Sequence, residues 1–413
     1  MCLAKGIDVR THPILSALAA SLLLLAPVHA QAQVVAENGA SVRDRTRADY
    51  DPLGMRLGAF QLDASVDFTA TFTDNVFAEE SGNEDEDVIF GISPNAQLSS
   101  DWNRHSLVIS GGAGFYNYND FSSEDANTNY LRGVGRLDIG SRSSLTGILG
   151  VANEVESRTD PDSPFTLEPI EYQRSEAALI AQHTFNRWRV IGEVGHTEYD
   201  FDGTQTFRDN EEDYLRGRLE AEVTPRLGAF VQATTDERKY PNSPTLDSNG
   251  EAYLVGATIN FTDMMRGEIA VGQFTRDYTN SSLDTEGLAV AANLQWYVTR
   301  LTTLTFDASR GTEEIIGGGT STPYVETQFG GRVDHELRRN IILTAGAAGG
   351  RREFSGVDRE DDFLYGDVGV DYLLNRRVAL RARYGREQVD SSGAAAFRDY
   401  EVNNLTLGLS LRL

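Results

Sequence analysis

Lysine is almost missing from this chain. Lys5 and Lys239 are the only two, so 35 of the 37 basic residues are arginine. Arginine keeps its charge when partly desolvated and offers a rigid fork of donors, which suits a crowded, structured polar surface. Cysteine is scarcer still. Cys2 stands alone, which excludes an intrachain disulfide and a thiolate metal site. Positive charge is short overall: 37 basic residues face 62 acidic ones, for a net charge of −25. A nucleic-acid partner needs a basic footprint, so that class is excluded. Beyond the first thirty residues no apolar run approaches the ~20 positions that a membrane-spanning helix needs.

Catalytic signatures are also missing. Beyond residue 32 there are four histidines: His105, His183 and His335 lie near short connections, and only His196 lies away from them. None belongs to a zinc-type motif, and no Gly-x-Ser-x-Gly elbow occurs. The glycine-rich stretch IIGGGTSTP, Ile315 to Pro323, has no Lys-Ser/Thr after it and reads as a loop, not a phosphate cradle. We therefore expect no enzyme, no cofactor, no resident metal and no catalytic residue. A Ser/His pair on an outer face is the weakest of the readings left standing.

What is present begins with a leader. Lys5 and Arg10 precede an apolar core, Ile14 to Ala26, and small residues follow at cleavage spacing around Ala30 and Ala32. Residues 1–32 read as a signal peptide and residues 33–56 as a flexible periplasmic tail.

From Leu57 onward one unit repeats. A strand-like run, a short arginine-bearing connection, a second run and a longer polar connection follow each other to Leu413. The short-connection arginines are Arg104, Arg142, Arg187, Arg226, Arg266, Arg300, Arg339 and Arg376, spaced 34 to 45 residues apart. Within the runs the pattern has period two. In Tyr214–Val223, Leu215, Leu219, Ala221 and Val223 take one face, and Arg216, Arg218, Glu220 and Glu222 take the other. That excludes helical repeats. A propeller blade has four strands and mostly short connections. Paired strands with connections alternating short and long match a closed transmembrane barrel, apolar outside and polar inside. Eight short turns join nine hairpins, giving an all-β, antiparallel up-and-down barrel of about 18 strands over residues 57–413. Sixteen strands also satisfy the pattern.

Trp102, Trp188 and Trp296 each lie within four residues of a short-turn arginine, as an interfacial aromatic belt requires. Phe115, Tyr116, Tyr118, Tyr199, Phe201, Tyr240, Phe274 and Tyr278 cluster at the opposite strand ends and read as the outer belt. The polar parity places Arg132, Arg136, Arg216, Arg218, Glu220, Glu222, Arg381 and Arg383 toward the interior as pore-lining candidates. Two readings of them stand side by side: charge filters that bias what crosses, and Arg–carboxylate ladders that stiffen the wall. The acidic stretch Thr73 to Asp87 lacks the spacing of a calcium loop and reads as a hydrated outer lip.

The opening segment also carries a resemblance. DYDPLGMRLGAF (Asp49 to Phe60), then Asp74-Asn75-Val76-Phe77, an acidic loop, Ser93-Pro94 and Trp102-Asn103-Arg104-His105 are similar to the outer-membrane β-barrel porins of the second type, from Gram-negative bacteria. That resemblance is specific over residues 48–108 and implies a barrel in the outer membrane. It also implies contact with lipid and lipopolysaccharide, and an association with surface polysaccharide or small polar solutes. The resulting expectation is a porin-like channel for polar solutes or polysaccharide-related export. The alternative is a non-conducting barrel whose loops bind a partner. The C-terminal Leu413 departs from the aromatic residue on which many such barrels close.

Overall fold

The computed structural model describes residues 40–161, 163, 168–261, 264–279, 283–317 and 320–413. The expected signal peptide lies outside the described residues. The strands are β1 (Met55–Leu57), β2 (Phe60–Thr73), β3 (Asp87–Ser100), β4 (Ser106–Tyr118), β5 (Ala126–Ile139), β6 (Ser143–Val155), β7 (Glu171–Phe185), β8 (Trp188–Phe201), β9 (Asn210–Thr224) and β10 (Leu227–Lys239). They continue as β11 (Ser248–Phe261), β12 (Met265–Tyr278), β13 (Thr285–Thr299), β14 (Thr302–Gly317), β15 (Thr320–Arg338), β16 (Ile341–Phe354), β17 (Glu360–Leu373), β18 (Val378–Ser392) and β19 (Tyr400–Arg412).

Strands β2 to β19 form one antiparallel ring in which each pairs with its chain neighbours. The ring closes where β19 meets β2, from Asn404↔Thr73 to Arg412↔Ser65. Eighteen strands thus leave no free edge, as a wall surrounded by lipid requires. The strands of 13 to 19 residues exceed the 9–11 that a tilted span needs, so the wall projects beyond the hydrocarbon. The first barrel strand starts at Phe60, because β1 is a three-residue hairpin arm folded on β2 through Gly58, whose φ of +62° suits a two-residue turn.

The period-two pattern decides which way each side chain points. Leu149, Leu179, Val194, Leu215, Phe329 and Leu364 stand exposed on the outer surface. Residues on the other parity, among them Glu193, Gly195, Tyr214 and Arg216 beside Val194 and Leu215, face the lumen. The eight short turns lie at one rim; the other rim carries eight longer connections and the ends of the long β14–β15 hairpin.

Three expectations need correction. The glycine-rich Ile315–Pro323 stretch is not a loop on either flank: β14 and β15 pair through Ile315↔Thr322 and Ile316↔Ser321. β-branched side chains there prolong the pleated surface past the neighbouring strands. Of the eight outer-belt aromatics, only Phe115 stands exposed on the outer face (46%). Tyr116, Tyr118, Tyr199, Phe201, Phe274 and Tyr278 share the parity of inward residues, and Tyr240, just past β10, is buried. In β12, Ile269 and Val271 point out, so Phe274, Arg276 and Tyr278 must point in. Finally, residues 41–47 of the expected free tail pack inside the barrel mouth, and residues 48–54 follow its rim.

Candidate functional site: the lumen and its two constrictions

The interior face carries a network of ion pairs. Arg132 meets Glu176 at 2.6 Å, and Arg174 meets Glu154 at 3.1 Å. Arg216 meets Glu193 at 3.1 Å, and Arg218 meets Glu268 at 2.7 Å and Glu220 at 3.6 Å. Arg381 meets Asp371 at 2.8 Å, Arg383 lies 3.9 Å from Asp367, and Arg136 meets Asp138 at 2.9 Å. All six sequence-predicted arginines therefore share the interior with a carboxylate. Glu220 is brought in beside Arg218 and Arg189, whereas Glu222 stands exposed at the rim next to the Thr224–Leu227 turn, away from that cluster.

The local sequence makes room for these pairs. A Cβ on Gly150 would lie 2.6 Å from the Glu176 carboxylate, so glycine is what lets Glu176 swing across β6 toward Arg132. Arg218 lies over the Phe230 ring at 3.6 Å, which holds the guanidinium plane against the wall. Water access differs sharply between pairs. The Arg132 side chain keeps 43% of its surface and Arg381 33%, while Arg352 and Glu326 keep 8% and 5%.

Trp102, Trp188 and Trp296 all stand exposed on the outer face at the short-turn rim. Trp102 packs edge-on against Phe60 at 5.5 Å.

The outer half of the lumen is narrowed by its own loops. Residues 156–161, between β6 and β7, run inward. Arg158 is clamped by Glu124 at 2.7 Å, and Glu156 by Arg208 at 2.7 Å. The Arg398 guanidinium donates to the Arg158 carbonyl at 2.7 Å, and the Tyr400 hydroxyl donates to the Thr159 carbonyl at 3.0 Å. Thr159, Asp160 and Pro161 line one cleft with Arg352 of β16 and Asp361 of β17. β7 and β16 are nine places apart in a ring of eighteen, so this loop crosses the lumen. Burial pushes the Glu156 carboxyl up to about 7, against the pull of Arg208.

The acidic loop joins the same structure. Its root is buried: Asn75 bonds the carbonyls of Glu79 and Glu401, and Ala78 packs with Val389, Tyr400 and Val402. Its tip, from Glu80 to Glu86, is exposed throughout. Among the described residues no cluster of three or more potential metal ligands is present.

Sequence reasoning missed the loop anchors Arg158, Arg208 and Arg398 and the wall pair Arg352–Glu326. The one available signal was the length of the 156–170 connection, which carries three prolines.

The comparisons with known proteins agree with this architecture. The sequence profile of a family described as "Putative beta-barrel porin 2" matches residues 47–413. The chain belongs to this porin family. It is an outer-membrane β-barrel. Among solved structures it resembles OccK2 (OpdF) of Pseudomonas aeruginosa in complex with glucuronate, at 12% identity and a TM-score of 0.51, covering 86% of this chain and 99% of that one. OccK2 without that ligand gives 13% and 0.51, covering 85% and 98%. The outer membrane protein OpdK from Pseudomonas aeruginosa gives 10% and 0.48, covering 86% and 99%. These likenesses concern the fold. No curated protein sequence matches the chain.

Proposed function

We propose that this porin conducts small polar solutes through a lumen that is water-filled at mid-height and narrowed at both ends. The carrying observation is the exposure of interior charges. Arg132, Arg174 and Arg381 keep 43%, 26% and 33% of their side-chain surface, while Leu131 and Leu380, beside Arg132 and Arg381, stand exposed on the opposite, outer face. An interior packed shut would leave such groups dry, and a ring of eighteen strands is wide enough for an aqueous path. Charged residues that stay wet bias permeation by charge. Arg132 and Arg381 are thus the preferred selectivity residues, ahead of the more deeply paired Arg216 and Arg218. The OccK2 complex with glucuronate supplies a reasonable first probe, a carboxylated monosaccharide. The crossing of the lumen by residues 156–161 favours monomeric solutes over export of an extended polysaccharide.

The same infolded loops support a second reading, a barrel closed at rest. Recording from the purified, heat-modifiable chain in planar bilayers separates the two. Ohmic steps whose reversal potential shifts toward cations in Arg132→Ser support the channel. A folded but silent barrel supports the second.

A further inference from the structure

We propose that residues 40–54 are a resident cationic plug that sets the bore and the charge preference of the periplasmic mouth. This rests on the reading that the barrel conducts, and goes beyond it by assigning a regulating element.

The segment lies against the interior of four adjacent strands. The Val42 amide donates to Thr303 Oγ1 of β14 at 2.9 Å. Arg43 reaches Asp334 of β15 at 2.8 Å, Thr344 of β16 at 2.6 Å and Asp371 of β17 at 3.6 Å. Arg47 meets Glu336 of β15 at 3.1 Å, and Arg45 meets the same carboxylate at 3.6 Å. Outward apolar residues lie on the opposite parity of these strands: Val333 and Leu337 around the Asp334–Glu336 stretch, Leu343 beside Thr344 and Tyr372 beside Asp371. The contacts are therefore inside the barrel.

The chain continues along the rim. The Arg376 guanidinium donates twice to the Ala48 carbonyl, at 2.9 and 2.7 Å. Arg412 donates to the Tyr50 carbonyl, and the Gly54 amide donates to the Leu413 carbonyl, both at 3.3 Å. Val42 is completely buried, and Arg47 is 4% exposed.

Two physical consequences follow. Ordering this segment costs chain entropy, and burying guanidinium groups is tolerated because each meets carboxylate. The contacts are thus specific to docking inside the mouth, where the backbone occupies cross-section. The three arginines also offset Asp334, Glu336 and Asp371. Withdrawing them would leave an acidic mouth, and such rings favour cations.

The test begins with accessibility. In the full chain carrying Cys2→Ser and Val42→Cys, a membrane-impermeant maleimide should fail to label the native, bilayer-embedded barrel and label it after heating. Native labelling at the heated rate would overturn the plug. Conduction follows. The Arg43→Ala/Arg45→Ala/Arg47→Ala variant should raise single-channel conductance about twofold or more and move the reversal potential toward cations. Adding Val42→Cys and Thr303→Cys to that variant should return low conductance when oxidised and release it on reduction. Conductance and reversal potential equal to wild type in the triple variant would overturn the proposal. If that variant loses its heat shift, the maleimide result decides alone. A silent wild-type barrel with a protected thiol would sink the channel reading and leave the plug standing.

Discussion

Two arcs of the wall use the same chemistry in different water. On β5 to β7, Arg132–Glu176 and Arg174–Glu154 remain between 23% and 43% exposed. On β15 to β17, Arg352–Glu326 and the Asp367 partner of Arg383 keep 8% or less, and residues 159–161 line a cleft with Arg352. A solvated pair contributes little to stability and leaves its charges available to a passing solute. A desolvated pair is a structural clamp, because either partner left alone would be a buried charge. Under the proposed conduction, one arc borders the path and the other is its abutment.

The sharpest way to break that contrast is Arg352→Ala. It strands the Glu326 carboxylate and should cost about 3–5 kcal/mol, seen as a lower temperature for the heat-modifiable transition. The matching Arg132→Ala should cost below about 1 kcal/mol while shifting the reversal potential toward cations. Equal stability losses in the two would dissolve the distinction between the arcs.

A smaller effect concerns pH. The Glu156 carboxyl rises on docking from the ordinary 4.5 to about 7, mainly through burial. The docked form then holds its proton more tightly than an undocked loop, so docking weakens as pH rises from about 4.5 to 7 and levels off above. We expect protease protection of residues 156–161 to be stronger at pH 5 than at pH 8. Glu156→Gln should flatten that difference, and a pH response unchanged in this variant would assign it to another group. The smallest change belongs to Trp188→Ala. It removes a 52%-exposed ring from the short-turn rim and should slow bilayer insertion while leaving reversal potential unchanged.

Much of the fold was legible because β-barrel walls write their geometry locally. Period two names the faces, and arginine-bearing turns mark one rim. The aromatics went astray for a reason also present in the sequence. Position at a strand end suggested a belt, while parity with Ile269 and Val271 already sent Phe274 and Tyr278 inward. The plug was illegible because its carboxylate partners stand nearly 300 residues away. Arg43 and Asp334 are 291 positions apart, and only ring closure brings such residues together. The crossing loop was hidden likewise, since Arg398 meets the Arg158 carbonyl 240 positions away.

The central claim is that the eighteen-strand wall encloses a conducting, doubly narrowed path. Single-channel recording of the purified full chain in a planar bilayer tests it most directly. We expect discrete ohmic steps with a charge preference set in part by Arg132 and Arg381. A barrel that shows its native heat shift and inserts, yet passes no current at any applied voltage, would contradict the account.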